Sequence, residues 1–417
     1  MPRVVNKNGL VAVLDIGSSK TCCLIARPLE NEKVELVGFG SYQSRGVEKG
    51  EITDLKAATQ SVLNAVAEAE KQTGERIDVV VASAAAKQLS SKLISESQPL
   101  DGKEASQNDI SRLIAKAQSK ITDKNIDVLH CLAIDYGVDD RHGLTDPTGL
   151  SGDSLSLIMH AVTTPRYPMR DMDSVLSQSH LTCVKKVAPP YAAGLACLTR
   201  EESEQGSVVI DLGAESTGIG YFFGGQFVFC DRLPVGANSI TQDLTTEFKI
   251  SRTEAERIKT LNGSALPSAS FSQEEIVCSL IGEENNANST RIPKSAVVTV
   301  IEKRVVEIFT AVRARLEQQD LYGYCLNAVL VGGGAQLHGI CEKAGSVLEL
   351  PVRRGKPQHI PLRQTVVPEH MYPMATGCFG LLRYTSRYLL NKAFLQDDVG
   401  KPKNKFVRLF QWFLDNC

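Results

Sequence analysis

The sequence predicts an α/β chain built from two related halves, and three observations carry that prediction. An apolar strand ending in Asp-x-Gly occurs twice, at Leu10–Gly17 and again at Ser207–Gly213, about two hundred residues apart. Each copy is followed by small hydroxyl residues and a further apolar run. Around both copies, strand-like runs alternate with helical patterns, as in a mixed sheet covered by helices.

In chain order, Leu10–Ile16 is a near-continuous apolar run ended by Gly17-Ser-Ser19, which reads as a buried strand and its turn. Thr21–Ala26 follows at hairpin distance, and Val34–Gly40 comes soon after. Asp54 is a candidate N-cap: Leu55, Ala58, Val62, Ala65, Val66 and Ala69 recur at helical spacing before Gly74. Ile77–Ala82 is another buried-strand run. Residues 83–163 change character, with a helix expected at Asn108–Ser119, strands at Val128–Tyr136 and Leu155–Val162, and a turn-rich segment from Asp139 to Gly149. They read as a small α+β insertion. The strand theme returns at Ser207–Asp211, Gly218–Phe223 and Phe227–Arg232. Thr241–Leu316 is mainly helical, interrupted by a polar stretch, Ser264–Pro293, whose segment Gly282–Ser289 reads as a loop. Asn327–Val331 is a strand opening onto Gly332-Gly-Gly334. A helix at Ala375–Ala393, a charged tether at Gln396–Lys405 and a distinct tail complete the chain.

With 417 residues, the chain is long enough for two to four domain-sized units. Its 46 Lys plus Arg against 48 Asp plus Glu argue against a generally basic nucleic-acid binder. No apolar run approaches the roughly 20 residues needed to span a bilayer, and the N-terminus lacks the apolar core of a secretory signal. The 11 cysteines form no C-x-x-C pair, so they read as small core residues of a reducing compartment. The 7 histidines show no metal-ligand spacing and read as structural or exposed. No nucleophile-elbow motif suggests a hydrolase triad.

Chemistry concentrates in Asp15-Ile-Gly-Ser-Ser-Lys20 and Asp211-Leu-Gly-Ala-Glu-Ser-Thr217. In each, a strand delivers a carboxylate to a turn whose Gly and small residues let backbone N–H groups approach phosphate oxygens. Asp15 and Asp211 together could hold Mg²⁺ through water, because that ion keeps most of its hydration shell. Either loop alone is also what joins strands in many proteins. With Val329-Leu-Val-Gly-Gly-Gly334 they make an ordered trio, while the absence of G-x-x-x-x-G-K-[ST] excludes a P-loop.

These motifs, in this order, resemble the phosphate 1, phosphate 2 and adenosine motifs of the actin, Hsp70 and sugar-kinase superfamily. More narrowly, the chain resembles the bacterial cell-division FtsA family. Leu129–Asp140 and Asp146-Pro-Thr-Gly-Leu-Ser-Gly152 resemble the family's 1C insertion, and Pro190-Tyr-Ala-Ala-Gly194 its connecting motif. The resemblance implies an actin-like (ribonuclease H-like) two-lobed ATPase fold. Subdomain 1A would take residues 1–82 and 164–205, 1C residues 83–163, 2A residues 206–246 and 326–390, and 2B residues 247–325. A linker (391–404) would lead to an amphipathic helix (405–417). ATP and Mg²⁺ would lie between the lobes, with Asp15, Gly17, Ser18, Ser19 and Lys20 on one side and Asp211, Gly213, Ser216 and Thr217 on the other. Glu256 and Lys259 would flank ribose and adenine, although by themselves they read as a surface i, i+3 ion pair. Gly332, Gly333 and Gly334 would line the adenine side. Glu215 departs from the small residue common in the second loop and is expected to face solvent. No position matches a strong general base, so nucleotide would set conformation or polymer state, with hydrolysis weak or regulatory.

The tail Asn404–Cys417 reads without any family. At helical spacing Phe406, Val407, Leu409, Phe410, Trp412, Phe413 and Leu414 cover one broad face, opposite Arg408, Gln411 and Asp415. Lys401, Lys403, Lys405 and Arg408 against Asp415 give +3, four basic residues less one acidic. Too short to span a bilayer, it suits a helix lying in an anionic membrane surface through Lys405, Phe406, Arg408, Leu409, Phe410, Trp412 and Phe413. The competing reading is a terminal helix docked on the protein's own core.

By the resemblance, the partners are the acidic C-terminal tail of FtsZ, further copies of the chain in filaments, and later division proteins. The site of action would be the cytoplasmic membrane face at the septum. Val300-Ile-Glu-Lys-Arg304 resembles the segment that receives the FtsZ tail, implying contacts from Arg304 and Arg291. A solvated helix face with local ion pairs is the alternative. A pilus-assembly adaptor and a small-molecule kinase of the same superfamily are the rival readings.

Overall fold

The computed structural model describes residues 4–29, 33–280, 290–358 and 366–390. The linker and tail expected at 391–417 and the loop at 282–289 lie outside the described residues.

The first half is a five-stranded sheet of β1 (Val11–Ile16), β2 (Lys20–Pro28), β3 (Val34–Gln43), β6 (Val79–Ser83) and β11 (Thr182–Val187), in the order β3-β2-β1-β6-β11. A minute hairpin of β4 (Val47–Glu48) and β5 (Glu51–Ile52) precedes helix α1 (Leu55–Thr73). As the sequence predicts, Asp54 caps α1 by accepting from Lys56 N and Ala57 N, and Gly74 ends it in the left-handed region at φ 70°. Within β1 only Asp15 escapes full burial, which is why its neighbours read as one apolar run.

Between β6 and β11 lies the insertion. Its antiparallel sheet, β7-β10-β8-β9, comprises β7 (Ser90–Pro99), β8 (Ile126–Val138), β9 (Arg141–Leu144) and β10 (Ser154–Pro165), and is covered by α2 (Gln107–Ser119). Helix α3 (Arg166–Gln178) leads back to β11.

Helices α4 (Pro189–Cys197) and α5 (Arg200–Gln205) cross to the second half. There β12 (Ser207–Leu212), β13 (Thr217–Phe223) and β14 (Gln226–Leu233) meet β17 (Asn327–Val331) and β18 (Val352–Arg354) in the order β14-β13-β12-β17-β18. Both large sheets therefore have the same plan. Three antiparallel strands continue into two parallel ones, with the Asp-bearing strand at the centre. Helices α6 (Asn238–Phe248), α7 (Arg252–Asn262), α8 (Lys294–Gln318) and α9 (Ile340–Leu348) surround the second sheet. The polar stretch 264–293 is not all loop: β15 (Glu275–Cys278) pairs antiparallel with β16 (Thr290–Pro293). Ile276, Cys278 and Ile292 are the buried members of that short hairpin, a pattern too brief to stand out in the sequence.

The closing helix α10 (Thr376–Leu390) lies on β1, β2 and β6, and α4 lies on β12, β13 and β14. Where these helices cross, Gly380 meets the Ala192 backbone so closely that a Cβ would overlap the Ala192 carbonyl. At an open helical position Gly→Ala stabilises by about 0.5–1 kcal/mol. At this crossing the sign reverses, and Gly380→Ala should cost about 1–3 kcal/mol through overpacking, measured by urea denaturation. Unchanged or raised stability would show that α4 and α10 can separate freely.

Candidate functional site

The two Asp-x-Gly turns have the same geometry. Ile16 pairs with Thr21 and Leu212 with Thr217, so each turn is the loop between two such pairs: Gly17-Ser-Ser-Lys20 and Gly213-Ala-Glu-Ser216. Gly17 N donates to Lys20 O and Gly213 N to Ser216 O, each at 3.0 Å. The space between the two turns, the cleft, is spanned by Glu215 accepting from Lys49 N and by Arg232 bonding Ala86 O and Ser216 Oγ, while Gly377 of α10 and Gly332 after β17 press on the Asp15 and Asp211 carboxylates beside it.

Asp15 accepts a hydrogen bond from Ser83 Oγ at 2.5 Å, and Gly377 at the start of α10 leaves room for its carboxylate. Burial raises the Asp15 pKa, against the pull of Ser83 and Arg232. Burial and the negative charge of Asp15 push Asp211 up to about 6. Among the described residues neither carboxylate forms an ion pair. Two such acids invite a cation. No group of three or more His, Cys, Asp or Glu is positioned to hold a metal among the described residues. The donor set fits a Mg²⁺ that Asp15 and Asp211 would contact through water.

The third motif stands beside the second, because β17 runs parallel to β12 with Asp211 opposite Val331. Gly332 has φ +85°, and a Cβ there would lie 2.5 Å from Asp211 Oδ1. Gly334 is likewise pressed onto Leu212. Only Gly333 is exposed, so two of these glycines serve packing and the third faces the cleft. Lys20 Nζ lies 3.3 Å from Met374 Sδ and 3.8 Å from Met371 Sδ, beside Gly333.

Glu256 and Lys259 form more than a surface pair. They meet at 2.7 Å, and both engage Thr241 of α6, Lys259 donating to Oγ1 and the hydroxyl donating to Glu256. Burial opposes ionisation of Glu256, but Lys259 and Thr241 outweigh it and hold its pKa below the usual range. Just before α6, Ala237 N bonds to Gly213 O, tying this cluster to the second loop.

The structure corrects the expectation for Glu215. Its carboxylate turns to the opposite half and accepts from Lys49 N at 2.6 Å. Gly50 N of the same β4–β5 turn donates to Ser18 Oγ at 3.2 Å. The turn thus bridges both loops. Arg304 and Arg291 lie elsewhere. Arg304 makes a two-pronged pair with Asp243 at 2.6 and 2.8 Å and another with Glu307, while Arg291 pairs with Glu275. His130 and His160 are buried and held neutral by desolvation, and the ten described cysteines are free and mostly buried. Ser83 and Arg232 are cleft residues that sequence reasoning missed. A signal existed for Arg232: the charged pair Asp231-Arg232 closes an otherwise apolar strand.

Residues 208–377 match the family model described as cell division protein FtsA, and residues 86–163 that of the SHS2 domain inserted in FtsA. Over 93% of its length the chain is 32% identical to the cell division protein FtsA of Rhizobium meliloti (strain 1021), covering 94% of that relative. Among solved structures, the PilM–PilN type IV pilus biogenesis complex aligns with TM-score 0.63 at 17% identity, over 90% of this chain and 98% of that one. MreB5 of Spiroplasma citri bound to ADP aligns with TM-score 0.55 at 12% identity, over 92% and 98%. At these identities the two structures establish a shared, actin-like fold.

The Asp211 pKa of about 6 lies above its unfolded value of roughly 3.9. The folded protein therefore keeps a proton that the unfolded chain releases. The stability this provides is complete below about pH 4 and is lost as pH rises through about 6. Without nucleotide or metal, Asp211→Asn should raise stability at about pH 8 by on the order of 1–3 kcal/mol and change little near pH 4. Denaturation curves showing no gain at the higher pH would mean that the Asp211 carboxylate is solvated.

Proposed function

The chain belongs to the FtsA family of cell-division proteins, and on that premise we propose that it is an ATP-dependent membrane adaptor of the division machinery. It binds Mg-ATP between its halves and assembles into actin-like filaments on the cytoplasmic membrane face at the septum. Through its tail it holds FtsZ filaments to that membrane, and it recruits later division proteins.

The observation that carries the nucleotide reading is the pair of matched loops, each ending a central strand in a buried carboxylate and facing the other across one cleft. Backbone N–H groups of Ser18, Ser19, Ser216 and Thr217 cradle the phosphates, Asp15 and Asp211 hold hydrated Mg²⁺, and Gly333 faces the base with the Glu256–Lys259 pair nearby. The structurally similar MreB5 is itself bound to ADP. Bound Mg²⁺ offsets the carboxylate charges and the phosphate charge together. Membrane attachment rests on the apolar face and +3 charge of the tail. A single short helix binds weakly and reversibly, so filaments carrying many tails bind by avidity. The pilus-adaptor alternative is not favoured: PilM shares the fold at 17% identity, whereas the full-length likeness at 32% is to FtsA.

For FtsZ, Arg304 and Arg291 offer guanidinium groups to an acidic peptide. Arg304 already rests on Asp243 and Glu307, so the incoming tail must displace a carboxylate it resembles.

Vesicle flotation with Mg-ATP tests the anchor. The full chain should float and carry FtsZ, while a chain ending at Lys403 should do neither. Flotation of the truncated chain would remove the tail from the mechanism, and flotation without FtsZ would remove the partner. A second experiment separates Arg304 from its neighbours. Arg304→Glu should weaken binding of an FtsZ tail peptide about tenfold or more, and Asp243→Asn should strengthen it by releasing the guanidinium. Unchanged peptide affinity in both variants would move the site away from α8.

A further inference from the structure

Among the described residues Arg232 has no carboxylate partner within ion-pairing distance, and it is set where the two loops meet. Its register places it with the site: Asp211 pairs with Gly218 and Gly218 with Arg232 across three adjacent strands. Directly paired residues share a face. The carboxylate and the guanidinium therefore stand on the same face of the sheet, flanking a residue that has no side chain.

The guanidinium is held from both halves. Nη1 donates to Ala86 O at 2.6 Å in the first half, and Nη2 donates to Ser216 Oγ at 2.7 Å in the second loop. Gly50, whose N–H is bonded to Ser18 of the first loop, packs so closely on it that a Cβ would lie 2.7 Å from Nη2. Both fixed hydrogen bonds go to uncharged oxygens. Among the described residues no carboxylate comes within ion-pairing distance, although Asp211, Asp15 and Glu51 act on it from farther away. A guanidinium has five N–H donors, and a buried cation without a paired anion is costly. This one is oriented by two bonds, its remaining donors have no further acceptor among the described residues, and it stands beside a pair of carboxylates suited to a hydrated metal. An arrangement of metal-binding acids next to an orphan guanidinium matches a metal-bound phosphate.

We propose that Arg232 recognises the terminal phosphate of a nucleoside triphosphate bound between the loops, and that this contact ties the phosphate to both halves through Ala86 and Ser216. The proposal rests on the nucleotide reading above and adds a discrimination that the loops alone do not give. The loops would hold a diphosphate and a triphosphate alike, whereas Arg232 contributes only when the terminal group is present. The corresponding place in the first half is Ser41, reached through Asp15 opposite Cys22 and Cys22 opposite Ser41, so this cation belongs to the second half alone.

The test is calorimetric titration of the full chain with Mg-ATP and with Mg-ADP, for the unchanged protein, Arg232→Gln and Arg232→Lys, each checked by thermal melting. Arg232→Gln should weaken ATP about 10- to 100-fold, the range of a charge-assisted contact, while ADP changes less than about threefold. Arg232→Lys keeps the charge but not the fork and should fall between. Equal losses for both nucleotides, or no loss, would make Arg232 a fixed counter-ion to the two acids and overturn the proposal. If Arg232→Gln does not fold, the ATP-to-ADP ratio of Arg232→Lys decides in the same way. If the unchanged protein binds neither nucleotide, the nucleotide reading itself falls and takes this one with it.

Discussion

The close crossing of α4 and α10 is the constraint on which the cleft depends. Helix α10 rests on the first sheet and α4 on the second, so the distance between these helices fixes the distance between the sheets. Glycine sets that distance at three points: Gly380 on the Ala192 backbone, Gly194 on the Phe222 ring and Gly377 against the Asp15 carboxylate. Side chains there would push the sheets apart. With them absent, two carboxylates that repel one another are brought into one low-dielectric cleft, and each pays in a raised pKa. Packing on one side thus imposes an electrostatic cost on the other, which a bound cation would relieve.

The duplication is close in backbone and unequal in charge. The loops superpose residue for residue in register, so Lys20 corresponds to Ser216 and Ser19 to Glu215. The first loop brings its cation in the loop itself. The second has a hydroxyl there and borrows a cation from the third strand, since Arg232 donates to Ser216 Oγ. Glu215 uses its extra reach to grip Lys49 N across the cleft. The same hairpin plan carries different side chains in the two halves, and among the described residues it is the second loop whose side chain reaches across, through Glu215 to Lys49 N.

The features legible in the sequence are those decided locally. Buried central strands read as apolar runs because both faces are covered, and α1 could be bounded by Asp54 and Gly74 because caps act on their own turn. The tail's apolar face is legible for the same reason. Strand β7 was missed: Ser90–Pro99 is mostly polar and becomes a strand only by pairing along β10. The β15–β16 hairpin has strands of only four residues and packs against α8 and α7. What Glu215, Arg232 and Ser83 bond to was illegible because those partners lie 166, 146 and 68 positions away. Spacing rules carry no information about such pairs.

The distribution of cross-half contacts determines what a ligand could do to the shape of the protein. On the hinge side, α4 and α10 interlock through backbone and aromatic rings, with Tyr191 stacked on Phe227 at 4.7 Å and edge-on to Tyr384. By the loops the links are polar bonds, Glu215 to Lys49 N and Arg232 to Ala86 O, and the insertion adds a further seam on β14, where His160 Nδ1 meets Phe227 O, Cys230 N donates to Ser91 Oγ, and Ile134 and Ile158 join the second half's core. A dense contact resists displacement, whereas polar bonds exchange with water at little net cost. A phosphate bound to both loops would add charge-assisted bonds between the halves and so would favour the arrangement in which the loops lie close. On the function proposed above, nucleotide bound there would bias the spacing of the two halves, and with it the surfaces that copies of the chain offer one another.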